Sequence, residues 1–276
     1  MKTQTQTRVG IIATMLTLSL MFFLTNCTVD GEGDDIEGSL TSYPYQYGSM
    51  KDVDGNTYLT VTIGDRLWMA ENLRTTQYYN DYTLENNSDN HKWVVTKNHG
   101  QYCWYTNDEA TYKSSYGALY NWAAVESARL CPMGWHVPSK EEWLEMIEYL
   151  AENGYNYDGT TGGNGDKIAL AMSSDLGCDN GLEWNVSTKI GAVGDFHFPM
   201  YDNKSGFRGH PSGCRSMIDG EFYGKREFTG WWTCTSVDDT LSYYVRIDVD
   251  SPKVCLSPEG HKNMGYSVRC IKNKFD

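Results

Sequence analysis

Cysteine is the residue type in this 276-residue chain with the most chemistry to offer, at positions Cys27, Cys103, Cys131, Cys178, Cys214, Cys234, Cys255 and Cys270. Cys27 stands apart: Arg8 and an apolar run from Val9 to Leu24 lead into Leu24-Thr25-Asn26-Cys27. A basic start, an apolar core too short for a comfortable membrane span and a terminal cysteine read as a lipoprotein export signal. Cleavage before Cys27 would leave a lipid-bearing cysteine that holds the body at a membrane. An uncleaved anchor helix is disfavoured because spanning takes about 20 residues, although Asn26 replaces the small residue usual before such a cysteine. Export makes disulfides the default for the others, and their odd number leaves one thiol over. No C-x-x-C pair occurs, and His210 before Cys214 is an isolated pair, so neither a metal nor a Cys-His catalytic pair is expected. His136 has no nucleophile or carboxylate close in sequence and reads as a hydrogen-bonded structural histidine. Asp81, Glu85 and Asp89 in the polar stretch Asn80 to Asn90 fit no EF-hand spacing and read as a solvated loop. Asn156-Tyr157-Asp158-Gly159 also lacks the terminal glutamate of a calcium loop. No HExxH, Walker loop, GxSxG or dinucleotide fingerprint is present, so no catalytic residue, metal or cofactor is assigned.

The elements that must position these residues are legible in outline. The composition, 40% hydrophobic and 21% charged, is that of a globular body. The net charge of -13 repels phosphate backbones, which argues against nucleic acid as a partner. Residues 1–26 are read as signal peptide, 27–50 as a flexible acidic tether containing Asp30-Gly31-Glu32-Gly33-Asp34-Asp35, and 51–276 as the folded domain. Leu59, Val61 and Ile63 alternate with Tyr58, Thr60 and Thr62, and Gly64-Asp65 turns the chain into a second strand. Two helices are expected, Gly117 to Ser127 and one starting after Pro138-Ser139, with Ser139 and Glu142 as a capping box and Trp143, Met146, Ile147 and Leu150 as its apolar face. The glycine-rich stretch from Gly154 to Asp166 reads as a flexible connection. Strands are expected at Glu227 to Val237, Ser242 to Val249, Lys253 to Leu256 and Gly265 to Ile271, with turns including Pro258-Glu259-Gly260. The fold class is α+β, with two helices, antiparallel sheets and many loops.

Five ordered blocks carry a resemblance. They are Asp52 to Tyr58, Ile63 to Leu73, Tyr116 to Trp122, Cys131 to Ser139 with Glu142-Trp143, and Gly265 to Cys270. Together the chain resembles the Fibrobacter succinogenes major paralogous domain family over Lys51 to Lys272. The resemblance implies an exported, frequently lipid-anchored domain with a fold similar to C-type lectin-like and formylglycine-generating-enzyme-like domains, and no general activity. Because Cys131 and Cys270 both sit inside family-like blocks, they are the expected disulfide; Cys103, Cys178, Cys234 and Cys255 look additional. Trp184-Asn185 is followed by Val186 in place of the carboxylate of a lectin calcium motif, and Pro258-Glu259-Gly260 lacks the sugar-specifying Asn, so chelation of sugars through calcium is disfavoured. Arg269 is expected in a structural ion pair.

Two functions remain in view. The first is a noncatalytic, lipid-anchored cell-envelope module that binds glycan or protein, at the outer membrane and facing the cell surface or the periplasm. An acidic stretch after the lipid cysteine resembles signals for surface display. Nine Trp and twenty Tyr supply contact area, and loop or strand-edge position selects Tyr155, Tyr157, Trp231, Trp232 and Tyr243 as contact residues. The alternative, by fold analogy alone, is an enzyme using Cys234 as a reactive thiol.

Overall fold

A computed structural model describes residues 45–174 and 183–274. The signal peptide, Cys27, most of the tether and Cys178 lie outside the described residues. The described residues belong to one compact unit spanning Ser42–Asp276. It is mixed helix and sheet, richer in strands than in helices, with mostly antiparallel pairing.

The first sheet has five strands in the order Gly48–Lys51, Thr57–Ile63, Arg66–Met69, Ile271–Lys272 and Trp135–His136, all antiparallel. Its opening strand corrects the tether boundary: Gly48–Lys51 pairs with Thr57 to Thr60, so the domain starts before Lys51. The second sheet runs Cys255–His261, Leu241–Asp248, Phe228–Ser236, Ser212–Arg215 and Phe222–Lys225, with one parallel pairing between Phe228–Ser236 and Ser212–Arg215. A third, short sheet joins Glu85–Asn86, Gln101–Cys103 and Leu119–Tyr120.

Strand Phe228–Ser236 is central in its sheet, and its period-two alternation divides the interior. Trp231 points into a cluster with Trp68, Trp143, Phe207, Val245 and Ile247. Trp232 points the other way, into a cluster with Tyr120, Tyr266, Val268 and Cys270. Both indoles are 0% exposed and both N–H groups are used, Trp231 Nε1 donating to Asn72 Oδ1 at 2.9 Å and Trp232 Nε1 to the Tyr120 carbonyl at 2.8 Å. The expectation that they contact a ligand is therefore corrected: the paired Trp residues sit in a central strand, where an alternating aromatic pattern fills two cores.

The helix Lys140–Glu152 forms as its sequence predicts. Ser139 accepts from the Glu142 backbone N–H and Glu142 returns the bond to Ser139 N. Trp143, Met146, Ile147, Leu150 and Ala151 are buried, each large side chain contributing about 1.5–3 kcal/mol relative to exposure. The other expected helix is shorter than Gly117 to Ser127. Gly117 has φ +70 and lies so close to Asn72 that a Cβ would meet its side chain at 2.7 Å. Leu119–Tyr120 then pairs as a strand, and the helix Trp122–Glu126 begins only after Asn121, whose side chain accepts from Ala124 N.

Other differences have local causes. Asp89, near the end of the stretch read as a solvated loop, caps a helix over Asn90–Val95 that buries Trp93 and that the sequence reading had not marked. Pro258-Glu259-Gly260 continues the strand Cys255–His261, because that strand is at the sheet edge, where a missing N–H is tolerated, and the register shifts there. The Gly154 to Asp166 connection is held by buried Asn156, whose Nδ2 donates to the Gly162 carbonyl at 3.1 Å, and by an Asp158–Lys167 ion pair at 2.6 Å. Ser212–Arg215 and Phe222–Lys225 are strands that alternation had not marked.

The segment Asn263 to Lys272 threads all three sheets together. Gly265 bridges Arg215, Tyr266 bridges Tyr120, Ser267 bridges Trp231, and Ile271 pairs with both Trp68 and His136. Cys131 and Cys270 form a disulfide, as the family-like blocks imply. Arg269 differs from expectation: it is 0% exposed, and backbone carbonyls take the place of a carboxylate partner. Nη1 donates to Met69 O and Phe207 O, Nη2 to Arg208 O, and Nε to Asn72 Oδ1 at 2.7 Å. Burial pushes its guanidinium down to about 9.

Candidate functional site

The segment Tyr78-Tyr79-Asn80-Asp81-Tyr82 is a tight turn. Gln77 bridges Thr83, Asp81 N donates to Tyr78 O, and Tyr78 N donates to Tyr82 O at 2.8 Å. Asp81 takes the left-handed conformation at φ 66, which a short polar side chain tolerates. The base of the turn is fixed from below, because Asp54 Oδ2 accepts from Thr76 N and Tyr120 OH donates to Thr75 O. This geometry leaves Tyr82 69% exposed, the most exposed aromatic of the described residues.

Beside the turn lies a surface recess of ≈ 480 Å³, lined by Tyr78, Asn80, Tyr82, Glu85, Asn98, His99 and Arg129, with Gly100 and Ala123 among its other walls. Gly100 is required by close approach: a Cβ there would lie 1.9 Å from Tyr78 OH. Buried Asn121 sets the opposite wall, its Nδ2 donating to His99 O at 2.9 Å and its Oδ1 accepting from Gln101 N. Burial pushes the Tyr78 phenol up, keeping it a neutral O–H donor. Asn80 Oδ1 is buried without a hydrogen-bond partner. An exposed ring face with convergent amides, a carboxylate and a guanidinium can stack on an apolar ligand face while bonding its hydroxyls.

The sequence-selected tyrosines lie elsewhere. Tyr155 packs at the edge of the Trp231 cluster with Lys204 Nζ 5.6 Å above its ring. Tyr157 meets Phe198 edge-on at 5.1 Å, and Tyr243 lies under Lys140 Nζ at 4.7 Å. All three are half-buried, and none lines the Tyr78–Tyr82 recess. The recess escaped sequence reasoning because three separated segments build it, although the Tyr-Tyr-Asn-Asp-Tyr turn was a visible signal.

His136 and His210 each lie beside a carboxylate. His136 has the carboxylate partner that sequence proximity did not show: Nε2 lies 2.9 Å from Glu142 Oε2, and Nδ1 lies 2.6 Å from Asn273 Oδ1. Arg66 completes the cluster at 2.7 Å from Glu142. Burial opposes the Glu142 charge, but bonds from His136, Ser139 N and Arg66 hold its carboxyl at about 2. The hydrogen bond to Glu142 raises His136 above its ordinary value. The Glu142 contribution is thus complete above about 4.5 and lost as pH falls toward about 2. The His136 contribution is complete below about 6.5 and lost as pH rises through its raised folded value. His136→Ala is expected to cost more stability at pH 5.5 than at pH 8.5, read by urea denaturation. Equal costs at the two pH values would remove the charge-assisted pairing.

His210 faces Glu183 at 3.7 Å, and the Cys214 thiol is pushed up to about 11 by burial. Burial pushes Cys103 up to about 12. Cys234 is a free thiol, raised by desolvation and by Glu142, opposite to the shift that activates a thiolate. Trp184 Nε1 donates to Gly209 O from a buried position, and Asn185 N donates to Arg226 O. Asp81, Glu85 and Asp89 divide between a turn, an edge strand and a helix cap. Among the described residues no group of three His, Cys, Asp or Glu is placed to hold a metal.

The family model of the Fibrobacter succinogenes major domain matches residues 61–272. The chain belongs to the Fibrobacter succinogenes major domain family. The matched region runs from the second strand of the first sheet to its last, so the thread, the disulfide and the recess all fall within the Fibrobacter succinogenes major domain. No curated protein and no solved structure matches the chain.

Proposed function

We propose that this protein is a noncatalytic, lipid-anchored cell-envelope module that binds glycan through the Tyr78–Tyr82 recess. The observation carrying the reading is the 69% exposed Tyr82 ring beside a recess lined by Asn80, Glu85, His99 and Arg129. Sugars present apolar ring faces ringed by hydroxyls, the complement of that arrangement. A C-type lectin-like fold is part of the proposal, supported by the final strand returning beside the early strands and tied by Cys131–Cys270. Anchoring at the outer membrane, facing the cell surface, rests on the Cys27 signal and the acidic stretch after it. Among the described residues no helix is long and apolar enough to cross a membrane.

Full-length protein purified in detergent tests the reading on a panel of soluble and insoluble polysaccharides, with calcium and then with chelator. Saturable binding that survives the chelator is the expected result. Absence of binding to every polysaccharide would overturn the glycan reading, and loss in chelator would overturn its calcium-free form.

A further inference from the structure

The loop of residues 185–201 exposes Val186 at 63%, Ile190 at 71%, Phe196 at 54% and Met200 at 76%. One such side chain is ordinary surface; several on a single loop mark an interaction face.

The loop is ordered around one buried carboxylate. Asp195, 1% exposed, accepts from Gly191 N at 2.7 Å and from His197 N at 3.0 Å, which draws the residues after Ile190 and Phe196 together. Ser187 N donates to Gly194 O at 2.8 Å, bringing the residue after Val186 beside the same turn. Tyr157 closes the floor: its ring meets Phe198 edge-on, and a Cβ on Gly191 would lie 2.3 Å from it. Met200 sits on the turn Pro199–Tyr201 that follows.

Charge and position say what covers this loop. The chain carries -13 overall, yet residues 185–201 contain a single acidic residue, the buried Asp195. The neighbouring Asp250 is paired with Lys189 at 3.3 Å. Lipid phosphates, repelled by an acidic surface, therefore meet no bare carboxylate from this loop. The described body begins at Tyr45, on the side of Cys27 in the chain. Its hydroxyl accepts from Asn203 Nδ2 at 3.3 Å, just past the Met200 turn, and a Cβ on Gly206 would lie 2.8 Å from its ring. Residues 28–44, which join Cys27 to Tyr45, span at most about 60 Å even when fully extended. A lipid on Cys27 thus holds the body by the end that carries the apolar loop.

We infer that this loop seats in the surface of the bilayer that holds Cys27, with Val186, Ile190, Phe196 and Met200 among the lipid headgroups and upper acyl chains. This rests on the lipid-anchored part of the proposed function and adds the face that the body turns to the membrane. The lipid and the loop then engage one surface, and the tether makes the second contact intramolecular.

Phe196→Trp adds a fluorophore to the loop, and Val95→Trp adds one at an exposed position on the helix Asn90–Val95. Each full-length variant, purified in detergent, is reconstituted on phosphatidylcholine vesicles with and without brominated acyl chains, and the emission of the native protein is subtracted. Bromolipid is expected to cut the Phe196→Trp emission about twofold or more and to leave the Val95→Trp emission unchanged. Adding Ile190→Glu and Met200→Glu to Phe196→Trp should abolish the quenching, while flotation with the vesicles through Cys27 persists. Flotation without quenching of Phe196→Trp, equal quenching of Val95→Trp, or quenching that survives the two glutamates would overturn this inference and leave the anchoring standing. A blue-shifted but unquenched Phe196→Trp emission would overturn it by assigning the loop to a protein partner. Failure of the native protein to float with the vesicles would overturn both the anchoring and this inference.

Discussion

Replacing Arg269 with Met is expected to destabilise the protein by about 3–5 kcal/mol, among the largest effects of any single substitution here. Methionine fills much of the same volume but leaves the buried carbonyls of Met69 and Phe207, and the part-buried carbonyl of Arg208, without that donor. Each orphaned group costs about 1–3 kcal/mol. Asn72 Oδ1 keeps one donor, Trp231 Nε1, so that part of the network survives. Arg269 also stacks over Phe207 at 4.5 Å, contact that an apolar chain partly retains. Lysine keeps the charge but cannot present the planar fork, and Arg269→Lys should recover only part of the loss. Urea denaturation at neutral pH reads both variants, and a loss below about 1 kcal/mol for Arg269→Met would show that the carbonyls find other donors.

Removing the Cys131–Cys270 disulfide is expected to cost about 2–5 kcal/mol, because the crosslink spans 139 residues and constrains a long loop of the unfolded chain. It also pins the thread just before Ile271, where the first sheet closes. The double variant Cys131→Ala with Cys270→Ala should melt well below the native protein, and reductant should lower the native protein to match. Buried Cys103 and Cys214, with thiols raised to about 12 and about 11, should resist alkylation until unfolding. A melting temperature indifferent to reductant would contradict the stabilising role.

Local signals were readable where a few neighbouring residues decide the outcome. The Ser139–Glu142 capping box and the apolar face beginning at Trp143 specified their helix, and Gly64-Asp65 specified its hairpin. The pairing of Cys131 with Cys270 came from family-like blocks, since spacing alone leaves the partners open. What local pattern could not supply was strand order. Trp231 and Trp232 alternate like any strand residues; that their strand lies in the middle of a sheet depends on Ser212–Arg215, which carries little alternation of its own. Gly117 hid the same kind of information: its close contact with Asn72 converts an expected helix start into a turn and strand. The recess was opaque for a related reason. Tyr82, His99 and Arg129 meet only because Asn121 and Asp54 fix loops far apart in the chain.

The most direct measurement of the glycan-binding claim places native protein, Tyr82→Ala and Tyr243→Ala side by side on the polysaccharide panel. Tyr82 carries an exposed ring at the recess, while Tyr243 is half-buried on the second sheet outside it. The account predicts saturable binding by native protein and Tyr243→Ala, with Tyr82→Ala weakened about tenfold or more. Undiminished binding by Tyr82→Ala, or loss in Tyr243→Ala alone, would contradict it.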